Sequence, residues 1–102
     1  MNDTTVMVSY RVLPDQSPAA LRAIASLVST VVSSESACKG IEILQDDADP
    51  TRITLLERWT SREEFLGPHM QQPHIQAFIR EASSFLGGPP EITFWRPAEA
   101  SD

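Results

Sequence analysis

The sequence predicts one α+β domain with the element order β-α-β-β-α-β, an antiparallel sheet with helices on one face. Three observations predict it. Apolar residues alternate at period two in four separate runs. Stripes at helical spacing fall between the first and second runs and between the third and fourth. The middle two runs are joined by a connection so short that an antiparallel hairpin is the simplest path. A length of 102 residues fits a single domain, and neither a linker nor an internal repeat interrupts it.

The first strand is read over Thr5 to Leu13, with Val6, Val8, Tyr10 and Val12 on one side and Met7, Ser9 and Arg11 on the other. Pro14 and Asp15 break it. Ser17 before Pro18 reads as an N-cap with proline at the first helical position. Leu21, Ile24, Ala25, Val28, Val31 and Val32 then form an apolar stripe that fades between Ser36 and Gly40. Gly40 to Gln45 is a second strand with Ile41 and Ile43 on one face. The Asp46-Asp47-Ala48-Asp49-Pro50 turn leads to a third strand, Arg52 to Thr60, in which Ile53, Leu55, Glu57 and Trp59 share a side.

Ser61 with Glu64 three residues on is a capping-box signature, opening a short helix whose apolar side is Phe65 and Leu66. Gly67-Pro68 ends or kinks it. A further helix starts near Pro73 and carries Ile75, Phe78, Ile79, Ala82 and Leu86 at helical spacing, until Gly87-Gly88-Pro89-Pro90 stops it. Glu91 to Arg96 is the last strand, Ile92 and Phe94 against Thr93 and Trp95, and residues 97–102 are expected to fray. The order is the split βαβ, ferredoxin-like arrangement. It leaves one sheet face open, with side chains such as Met7 and Leu56 on it. A second copy of the chain is the expected cover, making a homodimer.

Composition removes several function classes. Apolar residues at 41% and charged residues at 22% argue against disorder. A net charge of −6 lacks the basic footprint that nucleic acid or an anionic membrane surface requires. No apolar stretch approaches the ~20 residues of a membrane span, and the start MNDTTVMVSY has no basic n-region, so a cytoplasmic location is expected. Cys38 is the single cysteine and reads as a small buried thiol. Asp46, Asp47 and Asp49 lack the glycine and distal glutamate of a calcium loop and read as a solvated turn.

His69 and His74 are the only two histidines. On one ideal helix they would diverge by about 140°, so they make no natural metal pair, and no metal site is assigned. A kink after Gly67-Pro68 is the way to bring them together, with Glu57 as the third ligand a metal would then need. Strand parity places Glu57 among apolar side chains, where it needs a partner, with His69, His74, Arg58 or an arginine from the other helix as the candidates. Its pKa rises with burial and falls with a nearby cation. Trp59 is either core or the floor of a pocket for a flat ligand.

The run LERWTSREEFLGPHMQQPHIQAF, from Leu56 to Phe78, resembles the antibiotic biosynthesis monooxygenase family. The resemblance lies in Glu57, Trp59, Ser61, His69, Pro73 and His74, with Cys38 and Gly40-Ile41 near a turn where members often carry a glycine before the cysteine. Ala37 takes that place here. The resemblance implies a dimeric α/β barrel and oxygenation of an electron-rich aromatic (quinol, anthrone or polyphenol) by O₂ without cofactor, whether flavin, haem or metal. It implies His74, His69 and Glu57 as catalytic groups, with Trp59, Tyr10, Leu55, Phe65 and Phe78 around the small aromatic substrate. Members that oxidise polyketide-type phenols keep polar residues two and four positions before the tryptophan and a tyrosine shortly after it; here Glu57, Leu55 and Phe65 stand there. Alternatives on the same fold are a non-catalytic small-molecule-binding module, an isomerase-type enzyme, and a haem-degrading relative. Those relatives use an Asn in the first strand that this chain lacks.

Overall fold

The computed structural model describes residues 3–98. In chain order these are β1 (Thr4–Arg11), α1 (Ser17–Ser34), β2 (Cys38–Gln45), β3 (Arg52–Trp59), α2 (Arg62–Leu66), a single 3-10 turn (His69–Gln71), α3 (Pro73–Ala82) and β4 (Glu91–Trp95). The strands form one antiparallel sheet in the order β2-β3-β1-β4. This is the ferredoxin-like order expected of two interleaved β-α-β units.

The sheet's inner face follows the alternation. Val6, Val8, Tyr10 and Val12 are buried, as are Ile53, Leu55, Glu57 and Trp59 opposite them. Val6 pairs with Glu57, Val8 with Leu55 and Tyr10 with Ile53. Between β2 and β3, Asp46 and Asp49 accept backbone N–H bonds from Ala48, Asp49 and Thr51, and each also pairs with an arginine. The acidic turn is thus its own scaffold, as expected.

Several boundaries differ from expectation. Val12 leaves the strand and forms an isolated bridge to Leu86, which lies past the end of α3 rather than on it. Ser17 does not cap α1. Its hydroxyl donates to the Pro50 carbonyl, and Gln16 stands at the cap without a side-chain bond. The buried stripe of α1 is Ala20, Ile24 and Val31 with Leu21, Leu27 and Val28 beside it; Ala25 and Val32 face outward because α1 presents a narrower face to the sheet. Ser61 does accept the Glu64 N–H, but only Phe65 of α2 turns inward, and Leu66 is half exposed. β2 begins at Cys38, with a bulge before Gly40, and β4 ends at Trp95. Of the tail expected to fray, residues 97–98 lie outside any element and 99–102 lie outside the described residues.

Candidate active site

Helices α1 and α3 do not close fully on the sheet. Between them lies a cavity of about 630 Å³. Its walls are overwhelmingly apolar: Val8 and Leu55 from the sheet, Val28 and Val31 from α1, Phe78 and Ile75 from α3. The Gly87–Pro90 segment, Ile79 and Ile92 form its rim. The polar side chains lining it are Tyr10, Glu57, His69 and Ser83, and no lysine or arginine is among them.

Glu57 reaches the cavity because strand parity puts it inward. Trp59, two residues on and on the same face, donates its Nε1–H to Glu57 Oε1 at 2.8 Å. Burial pushes the carboxyl up from 4.5 to about 7, against the opposing pull of the Trp59 bond, and the charge of Glu35 adds to the rise. Tyr10 enters from β1. Its pairing partner Ile53 is four residues from Glu57, so the two side chains stem from backbone about 13 Å apart along the sheet. Burial, with Glu57 second, raises the Tyr10 phenol well above its ordinary value and keeps it protonated. Its ring stands edge-on to Phe78, centroids 6.1 Å apart.

The break at Gly67-Pro68 decides where the histidines go. Gly67 ends α2, and the 3-10 turn carries His69 inward to 5% exposure. There its ring stacks on Phe65 at 5.0 Å and tilts against Trp59 at 4.5 Å. Its Nδ1 sits 2.9 and 3.0 Å from the two oxygens of Glu35, the residue that ends α1. His74, in the first turn of α3, places Nε2 2.6 Å from the same carboxylate. Desolvation lowers the His69 pKa, outweighing the support from Glu35, so the ring is neutral at pH 7. Every fully buried side-chain nitrogen and oxygen among the described residues has a hydrogen-bond partner. Among the described residues His69 Nε2 and the Tyr10 hydroxyl have none, so each retains accessible surface, and both residues line the cavity.

The site predicted from sequence is therefore partly assembled. Tyr10, Leu55, Glu57, Phe65, His69 and Phe78 line the cavity. Trp59 does not. It lies 1% exposed behind the wall, where it fixes Glu57 and backs His69. His74 is also off the cavity, turned toward Glu35. Glu57 meets neither histidine nor Arg58, because its near partner is Trp59 and Arg58 points out of the opposite face. The kink does unite the histidines, but on Glu35 rather than Glu57. Glu35 was missed, although it continues the Ile24–Val31 stripe at the next i+4 position and is the one acidic residue between Asp15 and Glu42. No group of three His, Cys, Asp or Glu suited to a metal ion occurs among the described residues. Cys38 is buried, and desolvation raises its thiol, as the inert reading expects.

A sequence profile described as antibiotic biosynthesis monooxygenase matches residues 4–81. The chain belongs to the antibiotic biosynthesis monooxygenase family. Solved structures share the fold of this family member over nearly its whole length. One is a candidate antibiotic biosynthesis monooxygenase from Nitrosomonas europaea, 19% identical, covering 99% of this chain and 95% of that one with a TM-score of 0.86. Another, from Caulobacter crescentus CB15, is 17% identical over 96% and 92% of the two chains, TM-score 0.85. A conserved protein from Methanosarcina mazei Go1 is 23% identical over 94% and 93%, TM-score 0.82. No curated protein matches the sequence. No helix among the described residues is long and apolar enough to cross a membrane.

Proposed function

We propose that the chain is a monooxygenase that oxidises a small, uncharged, electron-rich aromatic with O₂ and without flavin, haem or metal. The observation that carries this reading is that His69, Glu57 and Tyr10 are the titratable groups lining a cavity whose other walls, Ser83 apart, are apolar. A quinol, anthrone or polyphenol needs little more. His69 Nε2 takes a proton from the phenol or activated C–H, and the delocalised anion hands an electron to O₂. Recombination forms a carbon–oxygen bond, and the peroxide anion takes the proton back from His69 to give a hydroperoxide. His69 then removes the hydrogen left on that carbon as a proton while the O–O bond breaks, leaving the carbonyl, with one oxygen atom in product and the other departing as hydroxide that is protonated to water. Glu57, with a pKa of about 7, is partly protonated at neutral pH and supplies the proton that the departing hydroxide needs. Tyr10 holds an oxygen at the far end of the ring system. The apolar walls exclude water from the anion. With two carboxylates near and no cation in the lining, an anionic substrate is disfavoured.

The working unit is a homodimer in this reading. The sheet's other face carries Met7 and Leu56 at its centre, with exposed Leu44 and Trp95 toward its edges. A second copy of that face is the simplest cover.

The test is O₂ uptake by chelator-treated protein over a panel of naphthoquinols, anthrones and polyphenols, with His69→Ala beside it. Saturable uptake that falls at least ~100-fold in the variant is expected. Uptake no faster than buffer across the panel overturns the reading and leaves the cavity as that of a binding module.

A further inference from the structure

We propose that Glu35 is the positioning residue of the cavity's base. It accepts the Nδ1 proton of His69, which leaves Nε2 facing the cavity as an acceptor, and its charge supports the imidazolium formed once Nε2 takes a proton. His74 is the second donor that holds Glu35 in place. The kinetic part of this inference rests on His69 being the base; the tautomer does not.

Three observations carry it. First, both histidines converge on one carboxylate, with Nδ1 of His69 shared between its two oxygens and Nε2 of His74 on one of them. An ionised carboxylate accepts all of these contacts. A protonated one would have to donate to one ring and would set it in the opposite tautomer. Second, Glu35 is 8% exposed, and its ion-pair contacts among the described residues are these two histidines, with no lysine or arginine. A buried carboxylate held by imidazole N–H donors is stabilised further when the His69 ring gains a proton. That is the state created by proton abstraction, so the interaction strengthens along the reaction. Third, Glu35 occupies the C-cap of an 18-residue helix whose last turn has no basic residue. The helix dipole disfavours a negative charge there. Local helix stability therefore gives no reason for a glutamate at this position, whereas the two rings do.

The geometry also separates the histidines. His69 lines the cavity and its Nε2, without a partner among the described residues, keeps accessible surface; the His74 side chain is 20% exposed and lies off the cavity. A proton taken up at Nε2 of His69 stays on that ring, next to the carboxylate, until it is returned to the oxygenated product or to water. The titratable groups around this centre are Glu35 from α1, His74 from α3, Glu57 from β3 and Cys38 from β2.

The first experiment needs no substrate. Long-range ¹H–¹⁵N spectra of the wild-type histidine side chains at pH 7.5 should show His69 as the Nδ1–H tautomer with an unprotonated Nε2. Finding Nε2–H overturns the inference. Glu35→Gln keeps the shape and removes the charge. We expect it to mix the His69 tautomers and to cut kcat by about 100-fold with KM within about threefold. The acid limb of kcat/KM should move to lower pH as the imidazolium loses support. His74→Asn should lower kcat by about three- to tenfold through looser Glu35 placement. A folded Glu35→Gln protein with kcat within about threefold of wild type also overturns the inference. If no aromatic is oxidised by wild type, the oxygenase reading falls, and the tautomer spectrum alone decides the role of Glu35.

Discussion

Replacing Glu57 with glutamine removes an ionisable group that folding makes harder to ionise. Its carboxyl is pushed from 4.5 to about 7, chiefly by burial, at 4% exposure. Between those two pH values the native state holds a proton that the unfolded chain has lost. Native stability therefore falls as pH rises through this window: the favourable contribution is complete below 4.5 and gone above about 7. At about 1.4 kcal/mol per pH unit, the interval corresponds to about 3 kcal/mol. Glutamine keeps an oxygen for the Trp59 N–H and carries no charge at any pH. The Glu57→Gln protein should therefore match wild type near pH 4.5 and exceed it by about 3 kcal/mol at pH 8. The assay is urea unfolding of both proteins from pH 4.5 to 8.5 at one protein concentration, read as a difference. The difference matters because His69, lowered by burial, gives wild type an opposing slope below its ordinary 6.5. Parallel stability curves for the two proteins would refute the assignment of Glu57 as a buried, reluctant acid.

Trp59→Phe should lose the bond to Glu57 and part of a buried ring, about 2–4 kcal/mol by urea unfolding, and raise the Glu57 pKa further in carboxyl NMR titrations. Tyr10→Phe should raise KM for an oxygenated aromatic by about tenfold with little change in kcat, because the hydroxyl holds the substrate away from the base. Leu56→Asp on the open sheet face should convert the proposed homodimer to an 11.3 kDa monomer in sedimentation equilibrium; a wild type already monomeric at micromolar concentration removes that proposal.

The two central strands, β1 and β3, were legible because each has one buried face, and period two cannot slip without moving every side chain to the wrong side. That parity also turns Tyr10, Leu55 and Glu57 inward. It also sets Trp59 beside Glu57, since residues two apart on one strand share a face, but the partners expected for Glu57 were His69, His74, Arg58 or a helix arginine, and the bond to Trp59 was missed. Glu35 was hidden for a different reason. It sits in the polar run Ser33–Ser36, which reads as a helix fading out, and its partners lie 34 and 39 residues away. No local period encodes such a meeting. The histidines were misjudged by the same limit. The rule that five residues turn by about 140° holds within a helix, and Gly67-Pro68 with the 3-10 turn ensures that His69 and His74 do not share one. Which of them faced the cavity followed only once that break was placed.

The two tryptophans differ sharply in their surroundings. Trp95 is 54% exposed, whereas Trp59 is 1% exposed and touches both titratable partners, its N–H on Glu57 and its ring against His69. Where the outer sheet face that carries Trp95 is open to solvent, as in the single chain, a water-soluble quencher such as iodide silences the first and leaves the second. The remaining emission belongs to an indole whose light output responds to whether the carboxylate is charged and whether the imidazole is protonated. The protein thus carries its own optical pH electrode, mounted behind the wall of the cavity and out of reach of the ligand. Fluorescence read through iodide can follow proton movements in the site on the timescale of turnover without label, substitution or chromophoric substrate.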